Sequence, residues 1–330
     1  MMKVILPVAG TGSRLRPFTL SLPKCLLPVA GKSLIEHIIA SYSRLPVSEQ
    51  IFITGYKGEL VEDFIRRRGF RNTRTVCQKN PQGLGEAISL CLPFLSDDEP
   101  VLIILGDTLF DADLSFLKTE KDNVLMTREV EDPRRFGVAV TDSSGIVTRL
   151  VEKPQTFVSN EALVGIYYIA DVAALRKSLE RLIRDDIRTR GEYQLTDALQ
   201  MMVESGCRFR TAPIRSWLDC GTSESLLKTN ARILSEMEPE TTAFANCKII
   251  PPCHIDRTAR IRNSVVGPNV SVGPEVVIEN SKISDSVISE RTILTDSEIS
   301  HSIFGGDSEV KGFKGSLLLG DHSKVVAGVG

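Results

Sequence analysis

Hydrophobic and polar positions follow two rhythms along the chain. In the first 235 residues, strand-like and helix-like stretches alternate. Positions 4–8 form a short apolar run that leads into Gly10 and Thr11, and over 33–42 Leu34, Ile35, Ile38 and Ile39 share one face at helical spacing. Positions 51–54 read as a strand, 59–68 as a polar helix, 74–77 as a strand and 84–94 as a helix. The unbroken apolar run 101–105, bounded by Pro100 and Gly106, suits a strand buried on both faces of a largely parallel sheet. Alternation of this kind predicts an α/β sandwich. Between 136 and 151 a hairpin is expected, with Asp142, Ser143, Ser144 and Gly145 as its turn.

A helix closing over 231–237 is followed by Glu238, Pro239 and Glu240 as a linker. Beyond it the rhythm changes. Ile255, Ile261, Val266, Val272, Ile278, Ile283, Ile288, Ile293, Ile299 and Ile303 recur about every five to six residues, with Gly, Asn, Ser and Asp between them. This is the hexapeptide-repeat pattern of a left-handed parallel β-helix, in which each short strand buries one aliphatic side chain inside a triangular coil. The pattern predicts two domains, 1–237 and 238–330, with every candidate site residue in the first.

Composition narrows the class. Forty basic residues against forty-two acidic ones give a net charge of −2, which argues against a nucleic-acid surface built on bulk charge. With no apolar run of about 18 residues, no transmembrane helix is expected. The seven cysteines include no CxxC pair, which disfavours a disulfide framework or a zinc site and predicts a cytoplasmic protein with free thiols.

Candidate chemistry begins after the first strand, at Gly10, Thr11, Gly12, Ser13 and Arg14. The two glycines let backbone N–H groups approach a phosphate, and Arg14 adds a bidentate charge. A dinucleotide fingerprint would need glycine at position 15, which is Leu15. A P-loop ending in Gly31-Lys32-Ser33 would need glycine at position 26, which is Leu26.

Gly10-x-Gly12-Ser13-Arg14-Leu15-x-Pro17, then Pro23-Lys24, then Leu27-Pro28-Val29-Ala30-Gly31-Lys32-Ser33 resembles the signature of the sugar-1-phosphate nucleotidylyltransferases. The resemblance continues in order through Gln78 to Gly85, Leu105-Gly106-Asp107, Glu152-Lys153-Pro154, Val164-Gly165-Ile166-Tyr167, the block from Arg190 to Asp197, and Trp217-Leu218-Asp219-Cys220-Gly221-Thr222. It implies a Rossmann-like three-layer nucleotidyltransferase domain followed by the β-helix. It also implies attack of a sugar 1-phosphate oxygen on the α-phosphorus of a nucleoside triphosphate, with release of pyrophosphate.

By the same resemblance Arg14 holds the departing phosphates and Lys24 offsets charge at the α-phosphate. Lys153 and Arg190 hold the sugar phosphate, and Asp107 and Asp219 share Mg²⁺. Gln78 and Gly83 form a base pocket. Glu152 and Asn160 meet sugar hydroxyls or order the loop, Gly137 and Gly165 let the sugar pass close to backbone, and Val164 and Trp217 wall it. Gln78 can read a pyrimidine edge. The long thymidylyltransferase branch is the most similar, implying dTTP and glucose 1-phosphate as substrates. A uridylyltransferase using UTP, a guanylyltransferase and a non-catalytic homologue stay open, as does a homo-oligomer built on the β-helix. His254 and His301 lie in the β-helix, where some relatives carry an acyltransferase site; here they read better as coil residues.

Overall fold

The computed structural model describes residues 1–238 and 244–327. Its first sheet has nine strands. Strands β1 (Met2–Pro7), β2 (Val47–Thr54), β3 (Thr73–Cys77) and β4 (Val101–Ile104) run parallel in the order β3-β2-β1-β4. Strands β5 (Asn123–Glu129), β6 (Gly137–Thr141), β7 (Val147–Glu152), β8 (Glu161–Ile169) and β9 (Phe209–Pro213) complete it. Strand β8 lies antiparallel to β4, β5 and β6. The run 101–104 has no exposed residue, as its unbroken hydrophobicity predicts. The expected hairpin is β6–β7, and its turn is held by Asp142, whose Oδ1 accepts from the backbone N–H of Ser144 at 2.8 Å and of Ile146 at 3.1 Å.

Side chains alternate across a strand, so one face of the parallel half presents Ile5, Ile51, Ile53 and Ile103. Helices α1 (Leu34–Ser41) and α2 (Gly58–Arg68) come first in the chain, and these isoleucines pack with the later α3 (Leu84–Ser89), α4 (Val172–Arg184) and α5 (Leu195–Glu204). Val4, Leu6, Phe52 and Leu102 face the other way and are also fully buried, so both faces are covered. Parallel pairing puts Pro7, Thr54, Cys77 and Ile104 at one edge, the carboxyl edge where open α/β sheets bind ligands.

The C-terminal strands are parallel throughout. The column Lys248, Val265, Lys282, Glu298, Lys314 steps by 17 residues and then by 16, three short strands per coil, which accounts for the five-to-six-residue rhythm. Ile261, Ile278, Leu294 and Val310 stack inside. Ile293, expected inside, is 41% exposed, because the coil shortens by one residue and Leu294 takes its place. One corner repeats Asn246, Asn263, Asn280 and Asp296 with φ between 46° and 54°, a left-handed conformation these side chains tolerate.

Contacts divide the chain into two units, Met1–Gly10 with Ile38–Trp217, and Thr11–His37 with Leu218–Gly330. This differs from a boundary at 237, and the reason lies within the second unit. Segment Thr11–His37 packs on α6 (Ser223–Glu236) and on the β-helix: Phe18, Leu27, Leu226, Val287 and Ile303 line one residual cavity of about 10 Å³. Of the linker expected at 238–240, only Glu238 falls among the described residues. No helix among the described residues is long and apolar enough to cross a membrane.

A chain ending at Met237 would lose Val287 and Ile303 from beneath Phe18, Leu27 and Leu226, which are at most 4% exposed. Re-exposing each large apolar side chain costs about 2 kcal/mol. The expected result is a melting temperature lower by at least about 5 °C, read by near-UV circular dichroism. An unchanged melting curve would show that segment Thr11–His37 holds without the coils.

Candidate active site

In the first unit, the carboxyl edge of the sheet places Asp107. Gly106 donates its N–H to the Pro7 carbonyl at 3.1 Å, and a Cβ there would lie 2.7 Å from that oxygen, so glycine is needed for the close turn that leaves Asp107 half-buried. Burial pushes the phenol of Tyr167 up, and the carboxylates of Glu152 and Asp107 add to that shift. Tyr167 therefore has both carboxylates in its surroundings.

Glu152 ends β7 opposite Gly137. It accepts from Thr196 Oγ1 at 2.7 Å and pairs with Lys153 Nζ at 3.1 Å. A Cβ at Gly137 would lie 3.0 Å from both Glu152 Oε2 and Thr196 Oγ1, so any side chain there would disturb that bond. Two expected phosphate-binding cations sit on left-handed backbone, Lys153 with φ 44° and Arg190 with φ 54°. Such residues cluster at functional sites. Arg190 Nη2 donates to the Lys153 carbonyl at 2.9 Å, and Lys153 donates its N–H to Phe136 at 2.9 Å. Trp217 is half-buried and meets Phe136 edge-on, with centroids 4.9 Å apart.

Gly165 has φ 82° and a Cβ there would strike Leu105, so β8 bulges past the turn that carries Asp107. Val164 beside it is 1% exposed. Asn160 is exposed just before β8, its carbonyl accepting from Val130 N–H at 2.9 Å.

Gln78 follows β3 and is buried, unlike a loop glutamine in solvent. Its Nε2 donates to Glu86 Oε2 at 2.6 Å, which turns Oε1 the other way. Gly83, φ 118°, caps α3 where a Cβ would come within 2.5 Å of the Tyr193 carbonyl.

In the second unit, Gly12 adopts φ 60° and its carbonyl accepts from Thr19 Oγ1 at 2.9 Å. A Cβ at Gly12 would lie 3.0 Å from Lys24 Cβ, so the glycine turn and the lysine are packed together. Thr11, Ser13 and Arg14 are exposed, and Gly10 has open space where a Cβ would stand, so packing does not require glycine there. Asp219 is exposed, with Oδ1 accepting from Gly221 N–H at 2.9 Å and its carbonyl from Thr229 Oγ1 at 2.9 Å. A Cβ at Gly221 would lie 2.8 Å from Asp219 Oδ1 and 3.2 Å from Arg14 Nη2, so these two side chains converge over that glycine. Gly221→Ala should therefore displace both and lower transfer activity by about tenfold or more, in line with the effect of a misplacement near 1 Å, with the melting temperature changed little. Full activity in this variant would separate Arg14 and Asp219 from the chemistry.

Sequence reasoning singled out neither Gly221 nor the support of Glu152 by Thr196. Nor did it single out Asp197, a second carboxylate whose Oδ2 is buried without a hydrogen-bond partner. Burial pushes the Asp197 carboxyl up, and Glu152 adds to this. Thr196 and Asp197 lie in the quoted 190–197 block, the one signal that could have found them.

The first unit carries Asp107, Glu152, Lys153 and Arg190, and the second carries a glycine turn with Arg14, Lys24 and Asp219; each set suits an enzyme that handles phosphates by positioning and charge. The chain belongs to the Nucleotidyl transferase family, which matches it over residues 3–236. It is 34% identical over 244 residues to the low-salt glycan biosynthesis nucleotidyltransferase Agl11 of Haloferax volcanii, covering 71% of this chain and 67% of that one. It is 29% identical over 314 residues to a glucose-1-phosphate thymidylyltransferase of Streptomyces griseus, covering 85% of each. Among solved structures, a Bacillus anthracis protein described as a glucose-1-phosphate thymidylyltransferase, crystallised with sucrose, superposes with a TM-score of 0.60 at 28% identity, covering 73% of this chain and 98% of that one. Nucleotidyltransferases of this family generally use a divalent metal ion.

Proposed function

We propose that this enzyme transfers a thymidylyl group from dTTP to glucose 1-phosphate, giving dTDP-glucose and pyrophosphate. The observation that carries the reading is the pair formed by buried Gln78 and Glu86. With Nε2 committed to Glu86, the Gln78 Oε1 is left as an acceptor, which suits the N3–H of thymine or uracil and not the bare N3 of cytosine. The alignment with the Streptomyces griseus thymidylyltransferase over both the catalytic part and the coils supports thymine and glucose. Uracil offers the same N3–H, so a uridylyltransferase is the second reading.

In the proposed reaction an oxygen of the sugar phosphate forms a bond to the α-phosphorus. The bond from that phosphorus to the bridging oxygen breaks, and the electron pair leaves with pyrophosphate. Gly12 and Ser13 cradle the triphosphate, Arg14 holds the β- and γ-phosphates, and Lys24 offsets the charge that gathers at the α-phosphate. Lys153 and Arg190 hold the sugar phosphate, and Glu152, fixed by Thr196, accepts from sugar hydroxyls. Asp107 and Asp219 are hard oxygen donors. Among the described residues no group of three or more His, Cys, Asp or Glu forms a complete metal site. Two carboxylates with phosphate oxygens suit Mg²⁺, which binds through few protein ligands and offsets phosphate charge when bound. Among the described residues no disulfide joins the cysteines, and burial pushes Cys25 and Cys91 up to about 12, so both stay inert thiols, in keeping with a cytoplasmic enzyme.

The test is pyrophosphate release over a grid of dTTP, UTP, CTP, GTP and ATP against several sugar 1-phosphates. The expected best pair is dTTP with glucose 1-phosphate and the expected poorest pyrimidine is CTP. A preference for UTP selects the second reading, and equal use of CTP removes Gln78 from base recognition.

A further inference from the structure

The segment that carries Gly12, Arg14 and Lys24 continues into a two-residue hairpin turn between Pro28–Val29 and Lys32–Ser33. Both turn residues are left-handed, Ala30 with φ 47° and Gly31 with φ 79°. Glycine tolerates this; alanine is strained there and keeps the conformation only where its surroundings impose it. The surroundings come from α6 and the coils. Asn230, on α6, is fully buried, and its Oδ1 accepts from the Ala30 N–H at 2.9 Å and from Ser271 Oγ at 2.6 Å. Its Nδ2 donates to the Asn269 carbonyl at 3.2 Å. One amide thus ties the strained turn to two residues of the β-helix. His254 of the coils presses on the same turn, since a Cβ at Gly31 would lie 2.2 Å from its ring.

The turn is coupled to the lysine by short steps. Leu34 N–H donates to the Leu27 carbonyl at 3.1 Å, closing the base of the hairpin, and Leu27 N–H donates to the Lys24 carbonyl at 3.1 Å. Lys24 in turn packs on Gly12.

We infer that Asn230 is a positioning residue for nucleotidyl transfer. Through the Ala30 turn it uses the β-helix to fix the backbone from which Lys24 and the Gly12 turn act. The inference rests on the proposed roles of those residues, and a second readout keeps it testable without them. A buried amide that satisfied only its own helix would not need to bond to a strained turn in one direction and to two coil residues in the other.

The experiment uses the full chain. Asn230→Ala is compared with Asn230→Asp, which keeps the Oδ1 acceptor, and with Val310→Ala, which opens the coil core in the column away from Asn230. Steady-state kinetics are measured together with amide hydrogen exchange over 24–34. In Asn230→Ala, kcat should fall about tenfold or more, KM for sugar 1-phosphate should stay within about twofold, and exchange at Ala30 and over 24–34 should quicken while β8 stays protected. Asn230→Asp keeps the acceptor for Ala30 but loses the donor to the buried Asn269 carbonyl, so it should recover only part of the protection and turnover. Val310→Ala should lower the melting temperature without changing kcat. Unchanged exchange and kcat in Asn230→Ala overturn the inference, and so does an equal loss of kcat in Val310→Ala, which would make the effect general destabilisation. If Asn230→Ala does not fold, Ser271→Ala, which removes one hydroxyl donor to Oδ1, must show the same changes in smaller measure or the inference fails. If the unsubstituted chain transfers no nucleotide, the proposed reaction is wrong and the exchange measurement alone decides whether Asn230 holds the turn.

Discussion

Lys24→Ala should lower the turnover of nucleotidyl transfer by about a hundred- to a thousandfold, the usual cost of removing one charge-stabilising group from a transition state. Nucleotide affinity should change by less than about tenfold. The difference follows from where charge gathers. In the proposed reaction the Gly12 turn and Arg14 already hold the ground-state triphosphate, whereas charge at the α-phosphorus rises only as the new bond forms, so a cation placed there acts differentially on the transition state. Lys24 is half-buried on a turn packed against Gly12, which fixes its backbone before substrate arrives. Removing the side chain beyond Cβ leaves that packing in place, so the fold should hold. Equilibrium binding of dTTP and single-turnover rates, measured on the same preparation, check this. Parallel losses in binding and rate would assign Lys24 to uniform binding of the triphosphate.

Asp107→Asn and Asp219→Asn should each cost at least about a hundredfold in activity at low millimolar Mg²⁺, with melting temperatures close to that of the unsubstituted chain. Asparagine keeps the volume and one acceptor oxygen, so at position 219 the bond from Gly221 N–H can persist. What is lost is negative charge, on which a hard cation with few protein ligands depends. Phosphate oxygens still offer weak sites, so the activity that remains should need more Mg²⁺. A titration of activity against Mg²⁺ for the three proteins tests this. A variant with an unchanged curve and turnover would reduce that aspartate to a turn residue. Loss at every concentration with normal nucleotide and metal binding would recast it as a positioning group.

Local sequence determined much of this protein. The buried strand 101–104, the hairpin at Asp142, the glycine turn at Gly12 and the coil rhythm all depend on interactions a few residues apart, so they are written in spacing and turn chemistry. Even there the coil shows the limit. One shortened step moves Leu294 into the core and Ile293 out, because which of two adjacent aliphatics points inward is set by the coil below it. The family signature also gave the order of the candidate site residues.

Tertiary structure alone decided how those residues are held. Glu152 is fixed by Thr196, forty-four positions away, across a space that Gly137 keeps clear. Gln78 is buried and oriented by Glu86, eight positions along on the helix that follows. The segment carrying Lys24 packs with α6 and the coils through Asn230, two hundred positions from Ala30, although a linker at 238 had suggested a catalytic part complete without them. A buried amide reads in sequence like any polar helix residue. Its partners, and the strain they hold at Ala30, exist only once distant segments have packed and water has been excluded from the bonds between them.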